Sequence, residues 1–136
     1  MIDTDVVVAA IRSRNGASAE IIRKVLNGEV GIGLSVALAI EYEAVATRKS
    51  HLAVGGMSES QVPLVIDSLI SVATPVENHF RWRPQLRDQD DEMVLETATN
   101  GSASAIITFN RKDFAPAASR FGIDILLPRQ ALETLR

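Results

Sequence analysis

Cysteine is absent from this 136-residue chain, which excludes a disulfide framework and any thiolate-ligated metal. That absence fits a cytoplasmic setting. Histidine is nearly as scarce. The two present, His51 and His79, lie in polar stretches without ligand spacing, so zinc is not expected. Aromatic residues are 4% of the chain, with a single tryptophan, Trp82; a lone aromatic is a weak platform for stacked bases. Positive charge is short as well. The formal net charge is −3, so the molecule as a whole is not a basic nucleic-acid binder. Any such contact must come from a local basic patch, or from cations bridging acid to phosphate. No apolar run is long enough to span a bilayer and no basic, apolar leader precedes Asp3, so neither a membrane segment nor a signal peptide is expected.

What is present reads as one globular domain over residues 1–136. Hydrophobic residues are 46% and charged residues 23%, enough for a real core and too apolar for disorder. Ser18 is expected to cap a helix through Ile21, Ile22, Val25 and Leu26 that stops at Asn27-Gly28. Val30 to Leu34 reads as a buried strand, and Ser35 as the cap of a helix from Val36 to about Arg48. Lys49 to Ser58 reads as a loop. Ser58 to Gln61 opens a further helix with Val62, Val65, Ile66, Leu69 and Ile70 on one face and Pro63 tolerated in its first turns. Thr74 to Val76 is a candidate strand and Asn78 to Leu86 is irregular. Asp88 to Glu92 is an acidic start to a helix that ends at Asn100-Gly101. Ala105 to Thr108 and Asp124 to Leu127 read as strands flanking a short helix from Asp113 to Arg120, and Pro128 opens the last helix. Val6 to Ile11 stays open, because its valines favour a strand while the run continues through alanines as a helix would. Strands alternating with helices predict an α/β fold, a parallel sheet covered on both faces.

Ligands of such sheets bind beyond the carboxyl ends of the strands. Asp3-Thr4-Asp5 lies at one such end and Thr108-Phe109-Asn110 at another, with Asp113 just beyond. Asp3 stands in an apolar run with no Lys or Arg beside it. Either a cation or a distant partner compensates it, or it caps the helix that follows. Glu41 has Ala37, Leu38, Ala44 and Val45 as helical neighbours, which places it on the stripe expected to face the core, with Glu43 on another face. The alternative for Glu41 is a packed stem whose head reaches water. Asp91 repeats the pattern with Val94, Leu95 and Ala98, while Asp88 and Asp90 suit the helix cap and dipole. Asp3, Glu41 and Asp91 are therefore three carboxylates expected inward from three segments, a donor set suited to Mg²⁺ or Mn²⁺.

Four motifs in order carry a resemblance: Ile2-Asp3-Thr4-Asp5-Val6-Val7-Val8-Ala9-Ala10, Ser35 to Leu38 leading to Glu41-Tyr42-Glu43, Asp88-Gln89-Asp90-Asp91, and Thr108-Phe109-Asn110-Arg111-Lys112-Asp113-Phe114. With them the chain resembles the PIN-domain family of metal-dependent ribonucleases, and within it the VapC-like toxins of type II toxin–antitoxin pairs. The resemblance implies a three-layer fold with a twisted parallel sheet in the order 3-2-1-4-5, and it makes Val6 to Ile11 a helix. It implies Asp3, Glu41 and Asp91 as the first three metal carboxylates, with the fourth acidic position near Asn110 or Asp113. Asp5 stands where family members usually carry Asn, and Asn110 where they often carry Asp. Thr4, Asp5, Asp88, Thr108 and Asn110 become supporting residues. The implied activity is endoribonucleolytic hydrolysis with Mg²⁺ or Mn²⁺. An RNA backbone needs positive charge near the cleft, for which Arg12, Arg14, Arg81, Arg83, Arg111 and Lys112 are the candidates. Trp82 is either a stacking surface beside them or packed under the protein or a partner. The implied partners are an antitoxin and a second copy of the chain, the latter supported by the apolar content of Val62 to Ile70.

Two other readings compete. Asp3-Thr4-Asp5-Val6 also resembles the opening of haloacid-dehalogenase-like phosphatases, with Asp3 as nucleophile and Asp90-Asp91 as a metal doublet, although no lysine precedes that doublet at a strand–helix junction. A PIN fold kept as a non-catalytic binding module is the second, and the intact Asp3, Glu41 and Asp91 argue against it.

Overall fold

The N-terminal residues set the frame by pairing in parallel with a strand more than a hundred residues away. In the computed structural model, which describes residues 1–48, 58, 60–78, 86 and 89–135, Ile2 bridges Ile107. The Ile107 N–H donates to the Met1 carbonyl at 2.9 Å and the Asp3 N–H to the Ile107 carbonyl at 3.0 Å. Helix α1 (Thr4–Arg12) follows at once, so Val6 to Ile11 are helical. Helix α2 (Ala17–Leu26) begins behind Gly16 as N-cap, with Ser18 buried inside its first turn rather than capping it. Strand β1 (Gly33–Leu34) is shorter than the expected run from Val30. Helix α3 (Val36–Ala46) has Ser35 as its cap, whose Oγ accepts the Leu38 N–H at 3.2 Å. Helix α4 (Gln61–Val72) carries Pro63 in its first turn and leads into β2 (Thr74–Pro75). Helix α5 (Gln89–Asn100), strand β3 (Ala105–Ile107), helix α6 (Arg111–Phe121), strand β4 (Asp124–Leu126) and helix α7 (Pro128–Thr134) complete the chain. Gly122, at φ +67°, supplies the left-handed residue that ends α6.

β1 pairs with β2 and β3 with β4, both in parallel register, Gly33 against Thr74 and Ile106 against Ile125. Of the expected order 3-2-1-4-5, in which residues 1–3 are the first strand and β1 to β4 the second to fifth, the pairs 3-2 and 4-5 are present as strands and the 1-4 contact only as an isolated bridge. Among the described residues the two groups are not joined into one five-stranded sheet. In a parallel ladder alternate residues bond to opposite sides, and Met1 and Asp3 are spent on Ile107. The Ile2 backbone therefore points away from β3, and its carbonyl accepts the hydroxyl of Tyr42. Among the described residues that carbonyl is met by a side chain of α3 and not by a strand.

The core is continuous across these pieces. Tyr42, Phe114, Ile2, Ile11, Ile21, Leu38, Ile66, Leu69 and Ile106 are fully buried. The face expected on α4 is present in Val62, Ile66 and Leu69, while Ile70 is exposed. α1 packs on α2 and α3, α2 on α4 and α7, and α5 on α3, α6 and β3. Burial of this kind stabilises by about 25 cal/mol per Å² of apolar surface. No helix among the described residues is long and apolar enough to cross a membrane.

Candidate active site

Asp3 and Thr108 leave their parallel strands at the same edge, so the sequence-distant motifs meet. Asp3 is the N-cap of α1. Its Oδ1 accepts the Thr4 N–H at 2.8 Å, and its Oδ2 accepts the Thr108 hydroxyl at 2.7 Å. Capping and site reading thus describe one side chain, with both oxygens oriented. Thr108 is fully buried; its Oγ1 also accepts the Asn110 N–H at 3.0 Å and stands 3.5 Å from Asp5 Oδ2. Asp5 Oδ2 accepts the Phe109 N–H at 3.1 Å, whereas Oδ1 is buried and accepts no N–H or hydroxyl. Burial, then the charge of Asp3, push the Asp5 carboxyl up to about 7, against the opposing pull of the Phe109 and Val6 N–H groups. Burial, then the charges of Asp3 and Asp5, raise the Tyr42 phenol well above its ordinary range, which keeps it a donor to Ile2.

A cleft of about 460 Å³ opens over these groups. One wall is a single helical face, Asp5, Val8, Ala9 and Arg12, spaced i, i+3, i+4 and i+7 on α1. The opposite walls are Glu41, Val45 and Arg48, spaced i, i+4 and i+7, with Asp90 and Asp91 from the first turn of α5. Asp3, Thr4, Phe109 and Asn110 close the floor and end. Asp91 is 7% exposed, and Val94, Leu95 and Ala98 behind it are buried, the inward placement its spacing predicts. Glu41 differs. The buried stripe of α3 is Leu38, Tyr42 and Ala46, while Ala37 and Ala44 are exposed. Glu41 flanks the stripe, half-buried, and reaches the cleft from there. Apolar residues occupy every side of this helix, with Val36 78% and Ile40 60% exposed, so its pattern does not mark one inward face. A buried contact sets α3 against α5: the Ser35 and Thr97 hydroxyls are 2.8 Å apart, and Thr97 donates to the Met93 carbonyl at 3.0 Å.

Not every expected residue arrives. Asp113, Arg111 and Lys112 line a neighbouring hollow that shares only Phe109 and Asn110 with the cleft. α6 starts at Arg111, and its first turn carries Asp113 to the exposed outer side. Arg14 borders an apolar hollow between α1, α2 and α4, and its carbonyl accepts from Arg23 at 2.9 Å. Asp88, Arg81, Trp82, Arg83, His51 and His79 lie outside the described residues. Val8, Ala9, Val45, Arg48 and Asp90, the last expected only to serve the helix cap and dipole, also line the cleft. Arg48 lies in helical phase with Glu41, a signal that was available. Phe109, 49% exposed at the cleft end, lies at the strand end expected to bind ligands, although no role was assigned to it.

Asp3, Asp5, Glu41, Asp90 and Asp91 bring five carboxylates to a cleft that holds two arginines, Arg12 and Arg48. Among the described residues no three Asp, Glu or His side chains are gathered into a ready ligand cage. Hard oxygen donors from three elements, with the orphaned Oδ1 of Asp5, fit a divalent ion of the Mg²⁺ type. A parallel α/β frame with carboxylates beyond its strand ends is a setting for metal-assisted phosphate chemistry. Residues 1–112 match the PIN domain model, and the chain belongs to that family. Its members are generally metal-dependent nucleases, and the phosphatase alternative for Asp3 gives way to that assignment. No curated protein and no solved structure matches the chain.

Proposed function

We propose that this PIN domain is a Mg²⁺- or Mn²⁺-dependent endoribonuclease that hydrolyses RNA phosphodiester bonds, acting in the cytoplasm as the toxin of a toxin–antitoxin pair. The observation that carries the enzymatic reading is the convergence of Asp3, Asp5, Glu41 and Asp91 on one cleft with arginines on its walls. Asp3, Glu41 and Asp91 would hold the ion. When bound, the ion supplies charge stabilisation at the scissile phosphate and makes water a stronger nucleophile. The remaining work belongs to the chain. Thr108 and the Thr4 N–H keep both Asp3 oxygens fixed, so the first carboxylate needs no reorganisation as substrate enters. Arg12 and Arg48, both exposed, attract the polyanionic backbone to an otherwise acidic cleft. Phe109 offers an exposed ring beside the cleft against which a base can stack. A wall carboxylate orients the attacking water and takes its proton as the new P–O bond forms and the leaving oxygen departs.

The toxin reading rests on the likeness of the four motifs to the VapC-like branch. The exposed apolar residues Leu64, Ile70 and Val72 on α4, with Val36 and Ile40 on α3, support a second copy and an antitoxin as covering partners. The test is incubation with pooled cellular RNA, with Mn²⁺, Mg²⁺ or EDTA. Internal cleavage that needs the ion is expected, with Glu41→Gln losing it and the exposed Glu43→Gln keeping it. Equal cleavage in EDTA refutes the mechanism.

A further inference from the structure

Asp5 is the cleft residue whose surroundings are least complete. Thr108 has one hydroxyl proton and two carboxylates near it. The distances, 2.7 Å to Asp3 Oδ2 against 3.5 Å to Asp5 Oδ2, give that proton to Asp3. Asp5 Oδ2 keeps the Phe109 N–H at 3.1 Å, which fixes the carboxylate plane. Its other oxygen, Oδ1, is buried and accepts no N–H or hydroxyl, the Asp5 carboxyl having the Asp3 carboxyl as its remaining hydrogen-bonding neighbour. A buried carboxylate oxygen with no donor, beside a second carboxylate, is costly and persists where something positive completes it. Asp5 is also tied to the cleft from the far side, because Phe109 and Asn110 both line it. Asn110, whose N–H donates to the same Thr108 oxygen at 3.0 Å, contributes an uncharged amide at this corner. Asp3 and Asp5 both bond directly to the 108–110 turn, Asp3 through the Thr108 hydroxyl and Asp5 through the Phe109 N–H. Of the two, Asp5 is the one with an oxygen left over.

We propose that Asp5 is itself a ligand of the divalent ion, binding through Oδ1, and that it supplies at this corner the negative charge Asn110 lacks. The inference rests on the metal-site reading above and assigns Asp5 a direct rather than a supporting role. It predicts that the charge is transferable. A carboxylate placed at position 110, across Thr108 from Asp5, should replace the one removed from position 5.

The test is Mn²⁺ titration, by calorimetry or by the resonance signal of the free ion, on the whole chain as wild type, Asp5→Asn and Asp5→Asn/Asn110→Asp. Melting of each in EDTA is recorded alongside. Asp5→Asn is expected to weaken Mn²⁺ binding by about tenfold or more without lowering the EDTA melting temperature, and the double variant to return to within about threefold of wild type. Wild-type affinity in Asp5→Asn overturns the proposal, as the neutral amide then serves equally well. So does a double variant as weak as the single one, or a lowered melting temperature that makes the loss structural. Failure of the wild type to bind Mn²⁺ refutes the metal-site reading beneath it, an outcome distinct from binding that ignores Asp5.

Discussion

Replacing Thr108 by valine removes one oxygen atom from a fully buried position and leaves nearly the same volume behind. That oxygen donates to Asp3 Oδ2 at 2.7 Å and accepts the Asn110 N–H at 3.0 Å. Asn110 is exposed, so water can take over its N–H at little cost. Asp3 is 6% exposed, and its Oδ2 loses a donor that water does not readily replace. A hydrogen bond to a charged group is worth about 1.5–3 kcal/mol, so a loss of roughly 2–3 kcal/mol is expected. For a chain of this length that is a fall of roughly 6–9 °C in Tm. Thr108→Ser keeps the hydroxyl and loses a methyl group, a cost of only about 1 kcal/mol. Thermal and urea melts of the three proteins in EDTA measure these differences, and Mn²⁺ titration should show Thr108→Val weakened because Asp3 is no longer oriented. A Thr108→Val variant as stable as wild type, or one less perturbed than Thr108→Ser, refutes the argument that this hydroxyl holds the first carboxylate.

Two further outcomes follow from the same geometry. The Asp5 carboxyl is pushed up from 3.8 to about 7, so the folded state binds its proton more tightly than the unfolded chain. Stability is then greatest below the unfolded value and declines as pH rises through the folded one, and metal-free wild type should lose stability between about pH 4 and pH 8. Partial solvent exposure reduces the loss to about 1–2 kcal/mol. Asp5→Asn should be free of that decline and more stable than wild type at the alkaline end, and urea midpoints showing identical pH slopes would contradict this. Tyr42→Phe should destabilise by about 1–3 kcal/mol, since it leaves the buried Ile2 carbonyl without its donor. An unchanged melt would mean that the carbonyl finds another donor.

How far the site could be read in advance varied with the contrast in each helix. Asp91 was legible because α5 carries buried Val94, Leu95 and Ala98 at helical spacing, and that phase alone turns the residue inward. Glu41 was legible only as a member of a motif. Its helix is apolar on all sides, so the buried stripe of Leu38, Tyr42 and Ala46 could not be separated from the exposed Val36 and Ile40. Ser35 was readable as a cap, but its contact with Thr97 spans sixty-two residues and leaves no local trace. The choice between Asn110 and Asp113 turned on where α6 begins, one residue after the turn.

The amino-acid sequence by itself determined the alternation of short strands and helices, the ends of most of them, and the family. The first two depend on residues within a turn or two of one another, through capping, periodicity and the conformational limits of glycine and proline, and the family on four short motifs in order along the chain. Only the tertiary structure decided which carboxylates share a cleft, that Asp3 and Asp5 compete for one Thr108 proton, and that Tyr42 rather than a strand completes Ile2. Those outcomes depend on the parallel meeting of residues 2 and 107. Chain direction and strand register position two distant motifs to within a hydrogen bond, and no local pattern encodes either.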